Sequence, residues 1–312
     1  MTLIHMKITF EHHFTFLETE SASTNLALVV LFNSLQHTDN ALSKSALKQA
    51  IGKGALWLTR GKHTQRLRRL KKTLLNDDQL HFYYNEYILS TIVPEAKLVA
   101  DLHDYSVWYK PYGMLSQGSK YSDHCTIARF AQQQLSPERP VFIVHRLDRA
   151  ATGLILIAHS KKAARALSSM FEHRHINGRD NKTLLEKYYQ IIVHGDHRKN
   201  IQPQIITTNV DGKSAHSTFI CLQYDKKKDQ SLIEVKIDSG RKHQIRIHAA
   251  SIGMPVVGDR LHGIATEHDE QNLQLCAVSL RFTCPLSANN TGKEHTFKLP
   301  TELRPTLKVT SG

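Results

Sequence analysis

Residues 142–160 read FIVHRLDRAATGLILIAHS. An apolar run at 142–144 enters a polar loop, His145-Arg146-Leu147-Asp148-Arg149, and a second apolar run at 154–158 leaves after Gly153. Two short apolar runs divided by polar residues and a glycine predict two buried strands joined by a loop. The loop holds one carboxylate, Asp148, between two arginines. Flanking cations favour the charged form of a carboxylate. Such a group can serve as a nucleophile, or the trio can be an ordinary surface ion-pair cluster. The loop alone leaves both open.

Downstream, Ser160 is placed to cap a helix carrying Ala164, Leu167 and Phe171 on one face, with Lys161, Lys162 and Arg165 outward. Residues 187–195, KYYQIIVHG, predict a strand. In residues 232–238, Ile233, Val235 and Ile237 alternate with Glu234, Lys236 and Asp238, the pattern of a half-buried strand. Ser239-Gly240 turns the chain into RKHQIRIHAASIGMPVVGDRLHG, residues 241–263, where Ile245, Ala249 and Ile252 sit at helical spacing. Arg246 lies beside that stripe, where a charge needs a partner. Upstream, residues 105–117, YSVWYKPYGMLSQ, predict strand, tight turn and strand, with Pro111 and Gly113 supplying the turn. Trp108 suits core packing, and Tyr112 could stack on a base. Residues 293–299 predict a final strand, and the tail after Pro300 is expected to be loose.

The chain has 312 residues and a formal net charge of +13, which points to a polyanion partner, nucleic acid before membrane surface. The charge is concentrated. Residues 43–72 contain Lys44, Lys48, Lys53, Arg60, Lys62, Arg66, Arg68, Arg69, Lys71 and Lys72, and no Asp or Glu. Within this region Ser43 or Ser45 can cap a helix bearing Leu47, Ala50 and Ile51, ended by Gly52 and Gly54; short strands are expected at 55–59 and 79–84. Residues 92–101, punctuated by Pro94, read as a linker. Residues 1–40 suggest strands at 6–10 and 14–17 and a helix or buried strand at 25–32, with no function attached.

Cys125, Cys221, Cys276 and Cys284 lack the short spacing of a zinc knuckle or redox motif, as expected of free thiols in an intracellular protein. The pairs His12/His13, His173/His175 and His243/His248 lack a matching carboxylate or Cys framework, so no metal site is expected. The longest early apolar run, 26–32, is too short to span a bilayer, and no secretory signal is visible, so a cytoplasmic location is expected.

The central stretch resembles the signature of the RluA-type pseudouridine synthases, the RNA uridine isomerases: His145, Arg146, Leu147 and Asp148 match, and Gly153 is in register. The chain departs at Ala150, Ala151 and Thr152, where that family usually has Asp, Thr and Ser. Lys110, Pro111 and Gly113 resemble the opening of the family's catalytic domain, and Lys187 and Tyr189 its Lys-x-Tyr strand, with Tyr188 as competitor in register. Gly240, Arg241, His243, Gln244, Ile245, Arg246, His248, Gly253, Pro255, Gly258 and Asp259 resemble its helix and following loop, with His262 where the family commonly has Tyr. The order of residues 43–89 resembles the RNA-binding domain named for small-subunit ribosomal protein four.

The resemblance implies an α+β fold: a mixed, mostly antiparallel sheet with flanking helices, preceded by a small α/β RNA-binding domain. The expected division is an unassigned extension at 1–42, the basic domain at 43–93 and the catalytic domain at 94–305. It implies conversion of specific uridines to pseudouridine, most readily in 23S-type ribosomal RNA. Transfer RNA, or a non-catalytic RNA-binding protein with a degenerate synthase domain, are the alternatives. Asp148 would be the nucleophile or a base acting at the sugar, Arg246 its ion-pair partner and Tyr189 the ring against the target base. His145, Arg146, Arg149, Lys110, Tyr112, Arg241 and His243 would contact RNA beside the site. Lys53, Arg60, Lys62, Arg66, Arg68, Arg69, Lys71 and Lys72 would do so in the basic domain. The reaction has no redox step and no phosphate donor, so no cofactor is expected. RNA is the expected partner, and a monomer without membrane or obligate protein partner the expected state.

Overall fold

Two hydrogen-bonded sheets, of four and ten strands, organise the chain in a computed structural model that describes residues 8–18, 25–172, 185–199, 202–286 and 292–307. The His173/His175 pair and the chain beyond 307 lie outside the described residues. The fold is α+β with mostly antiparallel pairing, and it divides into one unit of residues 1–93 and 117–129 and a second of 94–116 and 130–312.

The first unit contains β1 (Thr9–Thr15), α1 (Ala27–Leu35), α2 (Lys44–Gly52), β2 (Leu56–Arg60), β3 (His63–Arg66), β4 (Gln79–Asn85) and α3 (Glu86–Leu89), with strand order β1-β4-β2-β3. Ser43 caps α2 by accepting the Ala46 N–H, and Leu47, Ala50 and Ile51 are its buried face. β1 pairs with β4 along its whole length, and α1 buries Ala27, Leu31 and Leu35 in the same core as Leu47, Leu58 and Phe82. The stretch at 1–42, read from sequence as an unassigned extension, therefore contributes an edge strand and a helix. Residues 117–129 join this unit through long-range polar contacts that no local pattern announces. Arg68 pairs with Asp123, Arg66 donates to the carbonyls of Gly54 and Ser119, and Trp57 donates to Lys120 O at 2.9 Å.

These contacts correct part of the phosphate-binding set. Arg66 and Arg68 are committed to Asp123 and to backbone carbonyls, and Arg60 to Asp78 through a two-point bridge of 2.8 and 2.6 Å. Lys53 donates to Leu89 O at 2.6 Å. Lys62, Arg69 and Lys71 stand exposed, with Lys72 half-buried.

The second unit contains β5 (Lys97–Asp101), β6 (Tyr105–Lys110), β7 (Phe142–Ile143), β8 (Thr152–Ala158), α5 (Lys161–Glu172), β9 (Leu185–His194), β10 (Gln204–Ile206), β11 (Ser217–Asp225), β12 (Gln230–Ile237), α6 (Gln244–Ser251), β13 (Leu275–Thr283) and β14 (Glu294–Lys298); α4 (Ile127–Gln134) runs across the boundary between the units. The strand order is β10-β11-β12-β9-β13-β8-β6-β5, with β14 on β13 and β7 on β8. Residues 97–101 are thus a strand on β6 rather than linker. The second strand expected after the Lys-Pro-Tyr-Gly turn is replaced by a side-chain tie: Ser116 Oγ donates to Leu147 O at 2.7 Å and accepts the Leu147 N–H at 3.0 Å. From Pro300 to Leu307 the chain stays packed, with a short helical turn at Thr301–Leu303 and Leu307 buried against Ile192 and Val257.

β8 and β13 form a parallel pair in this sheet, and Gly153 makes it possible. A Cβ there would stand 2.3 Å from Ala277 O, and the residue sits at φ +113. Only glycine accommodates both demands. The glycine that ends the Asp148 loop is thereby the one that docks it on the sheet. Trp108 is buried, donating to Ser106 Oγ at 2.7 Å and meeting Phe130 edge-on, so its role is core packing.

Candidate active site

The loop between β7 and β8 carries Asp148, the central strand β9 carries Tyr189, and the start of α6 carries His243 and Arg246. With Val144, Arg146, Lys187, Phe171 and Arg241 they line one cavity of about 230 Å³. At ~30 Å³ per water that is the space of roughly eight waters, comparable with a single pyrimidine ring. β9 alternates, so Lys187 and Tyr189 face this cavity while Glu186, Tyr188 and Gln190 face a cleft on the opposite side. The register places Tyr189, not Tyr188, with Asp148.

α6 is set in place by Gln244. Its Oε1 accepts from Ser239 Oγ at 2.6 Å and the Arg241 N–H at 3.1 Å; its Nε2 donates to His216 O and Ser217 Oγ, both at 2.9 Å. His243 precedes the helix in the left-handed region, at φ 56. One turn on, Arg246 is 8% exposed and forks onto Asp259, which is 0% exposed. Its Nε donates to Oδ2 at 2.8 Å and Nη2 to Oδ1 at 2.6 Å. The remaining Nη1 reaches Asp148 Oδ2 at 3.5 Å, and His243 Nε2 stands 3.7 Å from the same oxygen. The resemblance implies Asp148 as the partner of Arg246, and the two do meet. In the structure the tight bridge is to Asp259, and Asp148 receives the outward nitrogen of a guanidinium already fixed in direction.

The electrostatics follow. Burial works to raise the Asp259 carboxyl, but hydrogen bonds from Arg246 and from the His262 and Leu261 N–H groups outweigh it and hold it below the ordinary range. Burial likewise works against Arg246, and the bonds and charges of Asp259 and Asp148 raise it nonetheless. Arg246 therefore remains a fixed cation beside Asp148.

Four residues expected at RNA make contacts within the protein or border another cleft, and two of them, Lys110 and Tyr112, do not line this cavity. Lys110 is fully buried, with Nζ donating to Pro111 O at 3.1 Å, Met114 O at 2.9 Å and Arg149 O at 3.5 Å. Burial brings it down to about 7 against the pull of Asp148 and Cys276. It ties the Lys-Pro turn to the Asp148 loop and touches no solvent. His145 lies at 4.3 Å against the Phe171 ring and accepts the Leu156 N–H at Nε2, 3.0 Å, while burial pushes it down to about 3. It is a neutral, half-buried ring in the wall of the cavity that holds Asp148. Tyr112, 38% exposed, borders a separate cleft with Tyr109 and Arg304. Arg149 is exposed, and its Nε donates to Gly113 O at 3.3 Å. Arg146 is exposed at the cavity edge, and Arg241 lines the cavity while donating to Ser214 O at 3.1 Å. The groups facing Asp148 are thus the Arg246 guanidinium and the His243 imidazole rather than its sequence neighbours.

Sequence reasoning assigned no role to Asp259, His262, Lys187 or Phe171. A signal existed for Asp259: a charged residue beside the apolar stripe of α6 demanded a partner. Among the described residues no cluster of His, Cys, Asp or Glu could hold a metal ion, and no helix is long and apolar enough to cross a membrane.

The family described as RNA pseudouridylate synthase matches residues 104–251, a span that contains Asp148, Tyr189, His243 and Arg246 and ends before Asp259. Over 243 residues the chain is 30% identical to an uncharacterized RNA pseudouridine synthase of Aquifex aeolicus, covering 71% of this chain and 72% of that one. The chain belongs to the RNA pseudouridine synthase family. It is an isomerase of uridine in RNA. It is also 28% identical over 220 residues to the ribosomal large subunit pseudouridine synthase C of Vibrio vulnificus, covering 62% of this chain and 66% of that one. The solved structure of human RNA pseudouridylate synthase domain containing 1 shares the fold, with a TM-score of 0.50 at 20% identity over 66% of this chain and 83% of that one.

Proposed function

We propose that this synthase acts on a uridine of large-subunit ribosomal RNA in the cytoplasm. Asp148 is the carboxylate that acts on the bound nucleotide. The observation that carries the reading is the convergence of Asp148, Tyr189 and Arg246, from a loop, a strand and a helix, on one cavity of nucleobase size. Pseudouridine formation breaks the bond from sugar to uracil nitrogen, turns the base and rejoins it through carbon. A base inside a helix is out of reach, so the target uridine must be flipped or single-stranded. Tyr189 offers its ring to the base and its hydroxyl for a late proton transfer. Arg246, locked on Asp259, holds its remaining Nη1 at 3.5 Å from Asp148 and keeps that carboxylate aimed. Arg146 and Arg241 border the cavity and are placed for phosphates flanking the target.

The first unit is the RNA anchor in this reading. Lys62, Arg69 and Lys71, with Lys44 and Lys48 on α2, are among its exposed cations, and contacts of such cations with phosphates give salt-dependent, sequence-independent affinity. The large-subunit assignment is supported by the name of the Vibrio relative. Mass-spectrometric mapping of pseudouridine in total RNA from cells with and without the protein tests it. Loss of a site in 23S-type RNA is the expected result. Loss confined to transfer RNA would replace the substrate, and no loss anywhere would favour a non-catalytic RNA-binding role.

A further inference from the structure

Beside Asp148 stands a pair of imidazoles that the reading above does not use. His243 Nδ1 and His262 Nε2 are 2.9 Å apart, and the rings meet at 65°. The other nitrogen of His243, Nε2, faces Asp148 Oδ2 at 3.7 Å. A nitrogen–nitrogen contact so short holds one proton and one lone pair. If His262 donates, a neutral His243 accepts at Nδ1 and carries its own proton on Nε2, toward the carboxylate. If a neutral His243 donates instead, its bare Nε2 lone pair is turned on a negative oxygen. Only an imidazolium could donate both ways. Burial lowers His243, Asp148 pulls it upward, and Arg246, His262 and Lys242 lower it further, so the ring is held below its usual range.

His262 is built into this position. Asp259 Oδ1 accepts the backbone N–H of Leu261 at 2.9 Å and of His262 at 3.0 Å, and the same carboxylate grips Arg246. Gly258, before it, approaches the chain at Asn272 so closely that a Cβ would lie 2.3 Å from the carbonyl oxygen. Gly263, after it, lies so close to Asp259 that a Cβ would stand 2.7 Å from the Asp259 carbonyl oxygen, so the loop is pinned on both sides of the residue that meets His243.

We propose that His262 fixes the tautomer of His243, so that an Nε2–H is held toward Asp148 alongside the Arg246 guanidinium. His262 is then a positioning residue that acts through His243. The inference rests on Asp148 as the catalytic carboxylate, and it assigns this chain's departure at position 262 a function. One carboxylate, Asp259, governs both donors that face Asp148: it holds Arg246 through its side chain and places His262 through its backbone.

The test combines ring-nitrogen NMR of 15N-histidine-labelled protein with kinetics of His262→Phe, His262→Gln and Asp148→Asn. In the native chain His243 is expected as the Nε2–H tautomer. His262→Phe removes the donor, so the fixed tautomer should be lost and kcat should fall on the order of tenfold to a hundredfold, as small misplacements of a reacting group cause, with KM for RNA unchanged. His262→Gln restores a side-chain N–H and should recover most of kcat and the tautomer. A His262→Phe protein with native kcat, or with His243 still fixed as Nε2–H, overturns the proposal. So does a folded His262→Gln no better than Phe. An active Asp148→Asn would overturn the catalytic reading beneath it, whereas an inert Asp148→Asn beside a fully active His262→Phe overturns this proposal alone.

Discussion

Asp259→Asn is the substitution that most directly tests how the site is held together. The carboxylate is 0% exposed and its partner Arg246 8%. It receives two guanidinium bonds, of 2.8 and 2.6 Å, and two backbone N–H groups. Asn keeps the shape and one acceptor, but loses the charge and turns an N–H₂ against the guanidinium. Removing one partner of a buried ion pair costs about 3–5 kcal/mol, equivalent to roughly 6–20 °C in the melting temperature of a domain of this size. Arg246 is then free to swing toward Asp148, and a displacement of ~1 Å at the reacting carboxylate costs about a hundredfold in rate. Thermal unfolding followed by circular dichroism, and tritium release from RNA labelled at uridine carbon five, measure the two effects. The pH dependence supplies a sign. The Asp259 carboxyl is held below its unfolded value, so its contribution is complete above the ordinary carboxylate range and is lost as pH falls through the depressed folded value. The difference between native and variant proteins must therefore shrink in acid. A variant with unchanged melting temperature and near-native turnover would refute the account of Arg246 as a side chain aimed by Asp259.

Asp148→Asn should abolish tritium release while RNA affinity, measured by filter binding, falls little, because the replacement is nearly isosteric. Changing Lys62, Arg69 and Lys71 together to Ala should reduce the slope of log affinity against log salt by about two, at ~0.7 per single-strand phosphate contact; an unchanged slope would remove them from the interface. His145 is held neutral, at about 3 in the folded chain. Protons then favour the unfolded state below the ordinary histidine range, so acid should destabilise the native protein. Between pH 7 and pH 5 it should lose roughly 1–2 kcal/mol more than His145→Gln does, read by urea unfolding at both pH values. Equal losses would place the ring in solvent.

Much of the fold was legible because its determinants are local. The Ser43 cap, the alternation in β12, the apolar runs on either side of the Asp148 loop and the stripe on α6 depend on periodicity and on neighbours a few residues away. The candidate site was legible as residue types, and Asp148, Tyr189 and Arg246 do line one cavity. Its wiring was not. Lys110 and His145 look like solvent-facing cations in the one-dimensional chain, and only packing buries the first in a knot among carbonyls and sets the second, half-buried and neutral, in the cavity wall.

The sequence by itself determined several elements, α2, β12 and the strands around the Asp148 loop among them, the concentration of positive charge at 43–72 and the chemistry available at the loop, since composition and period are properties of short windows. Tertiary structure alone decided which of those charges are paired within the protein. Asp78 and Asp123 withdraw Arg60, Arg66 and Arg68, and Asp123 lies more than fifty residues from either of its arginines. It also decided that Asp259 grips Arg246 more tightly than Asp148 does, and that His262 meets His243. A buried charge takes the partner that can fork onto it at hydrogen-bond distance. That distance exists only once the loop at 259–262 has been folded back onto the start of α6.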